Sequence, residues 1–209
     1  MKQRLAELDT IIFDLGEVVV DLDTKAVLEQ FSKLTNAAGS RLKELLMSTP
    51  FLYEYETGQI DKYAFANEMG KAMGVEIRFD DFEYAWNLMV KDITVKRLEF
   101  IQQLKKTHQV LILSNTNDMH EDKFELIMQE RIGMKMTELA HKAYYSHRIG
   151  YRKPNLDIYE FIIEENNLNP QKALFLDDRE DNILAAKEVG LQAQQVMFPD
   201  QIFEILSYE

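Results

Sequence analysis

The sequence predicts an α/β fold, a doubly wound and mainly parallel sheet carrying an inserted helical unit, and three observations lead there. Short apolar runs that end in polar residues recur along the 209-residue chain: residues 10–15 (TIIFDL), 109–114 (QVLILS), 173–177 (ALFLD) and 192–198 (QAQQVMF). Helical segments alternate with them, at 98–106, 155–166 and 181–189. The stretch from 18 to 96 breaks this alternation, with helical periodicity and no comparable apolar strand run.

The first three runs are rich in Ile, Leu, Val and Phe and are too short for helices, so they read as strands buried on both faces of a sheet. In order, the first strand delivers Asp14 to its carboxyl end. Next, 24–34 sets Val27, Leu28, Phe31 and Leu34 on one side of a helix. A second helix, 62–73 with Asp61 as its cap, repeats Phe65, Ala66, Met69 and Met73 at helical spacing. Both stripes read as core packing. The helix 98–106 leads into the second strand, which ends at Ser114. Lys153 and Pro154 precede the helix 155–166, where proline suits the opening turn. Asp177 and Asp178 close the third strand, and Gly190 stops the helix between it and the fourth. Alternation of this kind makes a parallel sheet with helices on both faces. The predicted division is a core of residues 1–17 and 97–209 with a helical unit of residues 18–96 between the first two strands. Ligands of open α/β sheets bind at the carboxyl ends of the strands, so an insert there closes over a site.

Composition excludes several functions. A formal charge of -12 repels nucleic acid and anionic membranes, so neither is an expected partner. The absence of cysteine removes disulfides, thiolate metal sites and cysteine nucleophiles. The amino-terminal MKQRLAELDTIIFDL lacks the pattern of a secretory signal, and no apolar run approaches a membrane span. The expectation is a soluble, cytoplasmic protein, a monomer or weak homodimer, acting on a small molecule.

The residue types at the strand ends carry the chemistry. Adjacent carboxylates at Asp177 and Asp178 repel one another at a half-buried strand end and call for a cation; hard oxygen ligands suit magnesium (Mg2+). Ser114 offers a hydroxyl beside the Asn115 amide, both suited to a phosphoryl oxygen. The Lys153 ammonium can balance the carboxylates and neutralise a phosphoryl group in transfer. Taken singly, each of these residues also fits a turn, a cap or a solvated surface.

Their order is more specific: Asp14, then Ser114, then Lys153 before a proline, then the acidic pair. In this the sequence resembles the haloacid dehalogenase superfamily over nearly all of its length. The pieces YETGQI, LSNTN, RKP and LDDREDNILAAKEVG look closest to its sugar-phosphate phosphatases that include bacterial α-glucose-1-phosphate phosphatase, and to the phosphatase domain of soluble epoxide hydrolase. The resemblance implies a Rossmann-like core with 18–96 as its helical cap, and a phosphatase using Asp14 as covalent nucleophile through an aspartyl-phosphate. It implies magnesium between the Asp14 carboxylate, the Gly16 carbonyl and Asp178, with Asp177 in support. Lys153 would pair with Asp14 and the substrate, and Ser114 with the Leu15 amide would hold phosphoryl oxygens. The implied substrate is a small sugar phosphate such as a sugar 1-phosphate.

Most phosphatases of that superfamily carry a second Asp two residues after the nucleophile, as acid for the leaving group; here it is Gly16. Losing a general acid typically forfeits about 10²- to 10⁴-fold in rate. Either the leaving group needs little protonation, or Glu17, Glu54 or Glu56 substitutes. Two other readings stay open: a haloacid dehalogenase-type hydrolase, which the acidic pair argues against, and a catalytically weak phosphate-ligand binding protein. Tyr53, Tyr55, Glu56 and Trp86 are candidates for setting substrate choice in the cap, and His120 and Arg148 for the rim.

Overall fold

The structure, a computed structural model, describes residues 5–35, 43–45 and 48–207. Its main sheet is parallel, in the order β5-β4-β1-β6-β7, where β1 is Thr10–Phe13, β4 Gln109–Ser114, β5 Lys142–Tyr145, β6 Ala173–Asp177 and β7 Gln192–Gln195. Strands β2 (Asp21–Leu22) and β3 (Val90–Asp92) pair separately as a short antiparallel ribbon.

Side chains alternate across the sheet, and the two apolar layers follow from that period of two. Ile11 and Phe13, Val110 and Ile112, and Leu174 and Leu176 face one layer, with Leu98, Ile101 and Phe124 from the helices Val95–Lys105 and Asp118–Ile132. Ile12, Leu111, Leu113 and Phe175 face the other, against Ile158, Tyr159 and Ile162 of Leu156–Glu165 and Ile183 and Ala186 of Glu180–Glu188. Ile12, Leu111 and Phe175 are fully buried, each worth about 1.5–3 kcal/mol relative to exposure.

The inserted helices build a third apolar layer. Val27 and Phe31 of Thr24–Thr35 meet Phe65 and Met69 of Lys62–Met73 and Phe82 and Trp86 of Phe79–Asn87. Asp61 caps the middle helix by accepting from the Ala64 amide at 2.8 Å. Met119, which opens the core helix 118–132, is buried in this same layer and ties the two units together.

Three expectations need correction. Residues 18–96 do contain strands: β2 and β3, too short to show an apolar run, form the ribbon at the foot of the insert. The final strand ends at Gln195 rather than 198, because the chain turns away and leaves Met197 70% and Phe198 49% exposed. The edge strand β5 was not anticipated; its sequence KAYY has no apolar run, and it is held by parallel pairing to β4.

Candidate active site

Asp14, Ser114 and Asp177 lie at the carboxyl ends of three neighbouring strands, because β1 pairs with β4 on one side and β6 on the other in matched register. The Asp14 amide extends the ladder with a 2.9 Å bond to the Leu176 carbonyl, bringing its carboxylate level with Asp177. Lys153, from the loop before the helix 156–165, reaches between them: its Nζ is 2.8 Å from Asp14 Oδ1 and 2.7 Å from Asp177 Oδ2, at 1% exposure. The peptide between Lys153 and Pro154 is cis.

Asn115 fixes that lysine from the next strand. Its side-chain Nδ2 donates to the Lys153 carbonyl at 2.8 Å, and its Oδ1 accepts from the Lys153 amide at 2.9 Å. The Asn115 side chain is thus committed to the backbone of Lys153, while Asn115, whose backbone amide is the expected phosphoryl donor, lines the cavity beside Ser114. Ser114, 3% exposed, lines the cavity, and among the described residues its hydroxyl makes only a long 3.5 Å contact to the Asn115 carbonyl, leaving it available to a ligand. The Leu15 amide donates to Asp14 Oδ1 at 2.7 Å.

Asp177 and Asp178 differ sharply. Asp177 is fully buried and saturated: Oδ1 accepts from the Arg179 amide at 2.8 Å, both oxygens accept from Asn182 Nδ2 at 2.9 Å, and Oδ2 takes Lys153. Asp178 stays half-buried and contributes a carboxylate to a cluster with Asp14 and Asp177 whose ligand atoms lie within 4.8 Å of one another. Burial pushes Asp14 up to about 7; Asp177 and Asp178 add to this, against the lowering effect of Lys153. Burial and then Asp177 also raise Asp178. Burial opposes the charge of Lys153, yet Asp14 and Asp177 hold its pKa above the usual lysine value. Carboxylates this crowded, with all-oxygen donors, fit a hard divalent cation.

Gly16 follows, bridged to Val20 at the base of the ribbon, and a Cβ there would come within 2.9 Å of the Leu22 Cδ1 tip. Glu17 sits at φ 54°, and its Oε1 accepts the Leu22 amide at 3.2 Å. Glu17 and Glu54 do not line the cavity that Leu15 and Gly16 border; Glu56 does.

That cavity, about 570 Å³, is walled by Leu22, Leu52, Trp86 and Met89 from the insert and floored by Leu15, Gly16 and Ser114. Tyr53 borders it, 42% exposed, near the Arg152 guanidinium. Tyr55 does not line it: the ring stacks on Phe65 at 4.4 Å and the hydroxyl donates to Asp118, so this residue joins insert to core. Trp86 offers the cavity an edge only, being 3% exposed and stacked on His120 at 5.2 Å. His120 Nε2 is 3.1 Å from the Trp86 carbonyl, and burial pushes its pKa down to about 4. Arg148 is turned away, in a bidentate pair with Glu121 at 2.6 and 2.9 Å. Sequence reasoning missed Asn182 and Arg152. Asn182 carried a signal, since a residue in the first turn of the helix that follows a strand points back at the strand end. Arg152 carried none beyond its place beside Lys153.

The comparisons with known proteins agree with this geometry. A D-ribitol-5-phosphate phosphatase of Bacteroides thetaiotaomicron is 29% identical over 185 residues, 88% of this chain and 90% of that protein. A HAD-family enzyme from the same species, crystallised with magnesium and inorganic phosphate, is similar with a TM-score of 0.82 at 26% identity, covering 90% of this chain and 93% of that one. A predicted HAD-like family hydrolase of Porphyromonas gingivalis shares the fold, with a TM-score of 0.83 at 23% identity over 97% of this chain and all of that one. A profile of haloacid dehalogenase-like hydrolases matches residues 8–190, and with the strand-end carboxylates in place the chain belongs to that family of hydrolytic enzymes.

Proposed function

We propose that this protein is a magnesium-dependent phosphomonoesterase that forms an aspartyl-phosphate on Asp14, acting on a small sugar or sugar-alcohol phosphate. The observation that carries this reading is the buried Lys153 bridging Asp14 and Asp177, beside a third carboxylate, next to a cavity of about 570 Å³ lined by Leu15 and Gly16, which follow Asp14 directly, and by Ser114. The phosphatase and the magnesium and phosphate complex among the relatives support it.

Asp14 and Asp178, with the Gly16 carbonyl, would hold magnesium, and Asp177 would support them through its fixed network. When bound, the cation offsets the negative charge of the carboxylates and of the phosphoryl oxygens. Asp14 attacks phosphorus with the oxygen not held by Lys153; the P–O ester bond breaks, the ester oxygen departs with its electron pair and takes a proton from water to give the alcohol, and a water later cleaves the acyl phosphate, freeing Asp14 and phosphate with release of its proton. Lys153 keeps Asp14 ionised and aligned and draws charge from the transferring group. Ser114 and, once a phosphoryl group competes with Asp14 Oδ1, the Leu15 amide hold its oxygens. Residues 18–96 would act as the cap that excludes water and sets substrate choice. We place the protein in the cytoplasm as a monomer or weak homodimer, with no nucleic-acid or membrane partner; among the described residues no helix is long and apolar enough to cross a membrane.

The test is phosphate release from a panel of sugar and sugar-alcohol monophosphates, with magnesium or EDTA, for the wild type and Asp14→Asn. Metal-dependent release that the substitution abolishes, with alkali-labile, hydroxylamine-sensitive phosphate trapped on the wild-type chain, is expected. Release that persists in Asp14→Asn would refute the nucleophile.

A further inference from the structure

The chain lacks a carboxylate at position 16, yet a carboxylate from the insert does line the cavity. Glu56 closes the helix Pro50–Glu56 and lines the cavity, with its side chain 14% exposed. Its Oε2 accepts from Arg152 Nε at 2.5 Å, while Oε1 has no partner among the described residues. Arg152 stands directly before Lys153 and also lines the cavity. Burial raises the Glu56 pKa, and Arg152, then Arg179 and Lys153, oppose that rise.

We infer that Glu56, oriented by Arg152, is the substrate-hydroxyl acceptor of the cavity, its free Oε1 selecting phosphate esters whose leaving group carries hydroxyls. Three features fit. A charge-assisted acceptor with one oxygen tied by a guanidinium presents the other in a fixed direction, which suits a hydroxyl on a short carbon chain. Leu22, Leu52, Trp86 and Met89 of the insert wall form an apolar surface that complements the carbon backbone, beside the polar Thr24, Lys43, Thr49 and Tyr53. Because Arg152 and Lys153 are adjacent, the residue that orients the hydroxyl acceptor and the one that binds the phosphoryl group are registered through one peptide.

This inference rests on the phosphatase reading, and the experiment separates the two. A pentitol 5-phosphate and pentyl phosphate have the same primary alkoxide leaving group and differ in hydroxyls alone. Measured kcat/KM for both, in wild type and Glu56→Gln, forms a cycle between the substrate hydroxyls and the carboxylate. A site built to pair with a hydroxyl discriminates strongly against an analogue lacking it. The expected result is a wild-type preference for the pentitol ester that shrinks about tenfold to a hundredfold in Glu56→Gln, mostly through KM. A wild type that does not distinguish the two esters overturns the inference without needing the variant to fold. So does a variant that loses both activities by the same factor, which marks Glu56 as structural. Absence of phosphate release from either ester in the wild type would instead refute the phosphatase reading, and the inference with it.

Discussion

Lys153 Nζ lies within 2.8 Å of Asp14 and 2.7 Å of Asp177, and the three side chains share a site that water scarcely reaches. Two carboxylates and one ammonium leave a net negative charge in a medium of low polarisability, so the arrangement favours chemistry over stability. Removing the cation and removing one anion therefore have opposite signs. Lys153→Met leaves two buried carboxylates facing each other and is expected to destabilise the metal-free protein by about 3–5 kcal/mol. Asp14→Asn relieves the repulsion that lifts Asp14 to about 7 and is expected to raise Tm. Both lose activity. Thermal unfolding in EDTA reads the two signs, and a Tm that falls in both variants would contradict the account.

The adjacent aspartates predict a second contrast. Asp177 is saturated by Lys153, Asn182 and the Arg179 amide, whereas Asp178 keeps its carboxylate for a ligand. Asp178→Asn is expected to fold normally and weaken magnesium binding. Asp177→Asn removes a charge from a buried hydrogen-bonded network and is expected to cost about 2–4 kcal/mol in stability. Magnesium at 100 times its Kd stabilises a protein by about 2.7 kcal/mol, so Tm against magnesium concentration separates them: the curve moves to higher metal in Asp178→Asn and starts lower in Asp177→Asn.

Much of this site was legible because strand ends are marked in sequence. The strands β4 and β6 have the bounds that their apolar runs gave, and the polar residue closing each run is the one at the sheet edge. What was not legible depends on contacts between distant segments. Nothing near Tyr55 says that its ring stacks on Phe65 and its hydroxyl meets Asp118 while Glu56, one residue on, enters the cavity. On a helix, adjacent residues point about 100° apart, and which of them faces a partner is decided by the partner. Strand β5 escaped for a related reason, since KAYY is an edge whose pairing to β4 carries it rather than its own pattern.

Glu17 stands next to the missing acid in sequence but is spent on a turn. With φ 54° and its carboxylate on the Leu22 amide, it shapes the entry to the ribbon. Glu17→Gln keeps an acceptor for that amide, so its pH-rate profile is expected to match the wild type, with kcat within about twofold, far short of the factor a general acid contributes. A flattened acidic limb would restore Glu17 as the proton donor.

Stability should fall in mild acid through His120. Its pKa is pushed down to about 4 by burial against Trp86, from an ordinary 6.5. Below pH 6.5 the unfolded chain takes up a proton that the folded chain does not accept until about pH 4, so stability rises with pH across that window and is lost on descending through it. The contribution has a ceiling of about 3.5 kcal/mol. His120→Gln, able to bond the Trp86 carbonyl without titrating, is expected to flatten that part of the denaturant-midpoint profile; an unaltered slope between pH 4 and 6.5 would assign it to other groups.

Gly58 connects the insert to the core by lacking a side chain. It lies at φ +70°, two residues beyond Glu56, and a Cβ placed on it would come within 2.3 Å of the His147 carbonyl oxygen. That oxygen is backbone of the short helix Ser146–Ile149, so it has no rotamer by which to yield. Gly58→Ala therefore meets both a left-handed backbone, disfavoured by about 1–2 kcal/mol for an L-residue, and a steric overlap relieved only if the two segments part. The main layers of the core are untouched by such a shift, and the helix 50–56 is not. The expected phenotype is a modest loss of Tm with a larger rise in KM, since Glu56 and Arg152 are carried on the two sides of the contact. Gly58→Ala that kept KM while losing stability would show that the Glu56–Arg152 pair holds its place without this close approach.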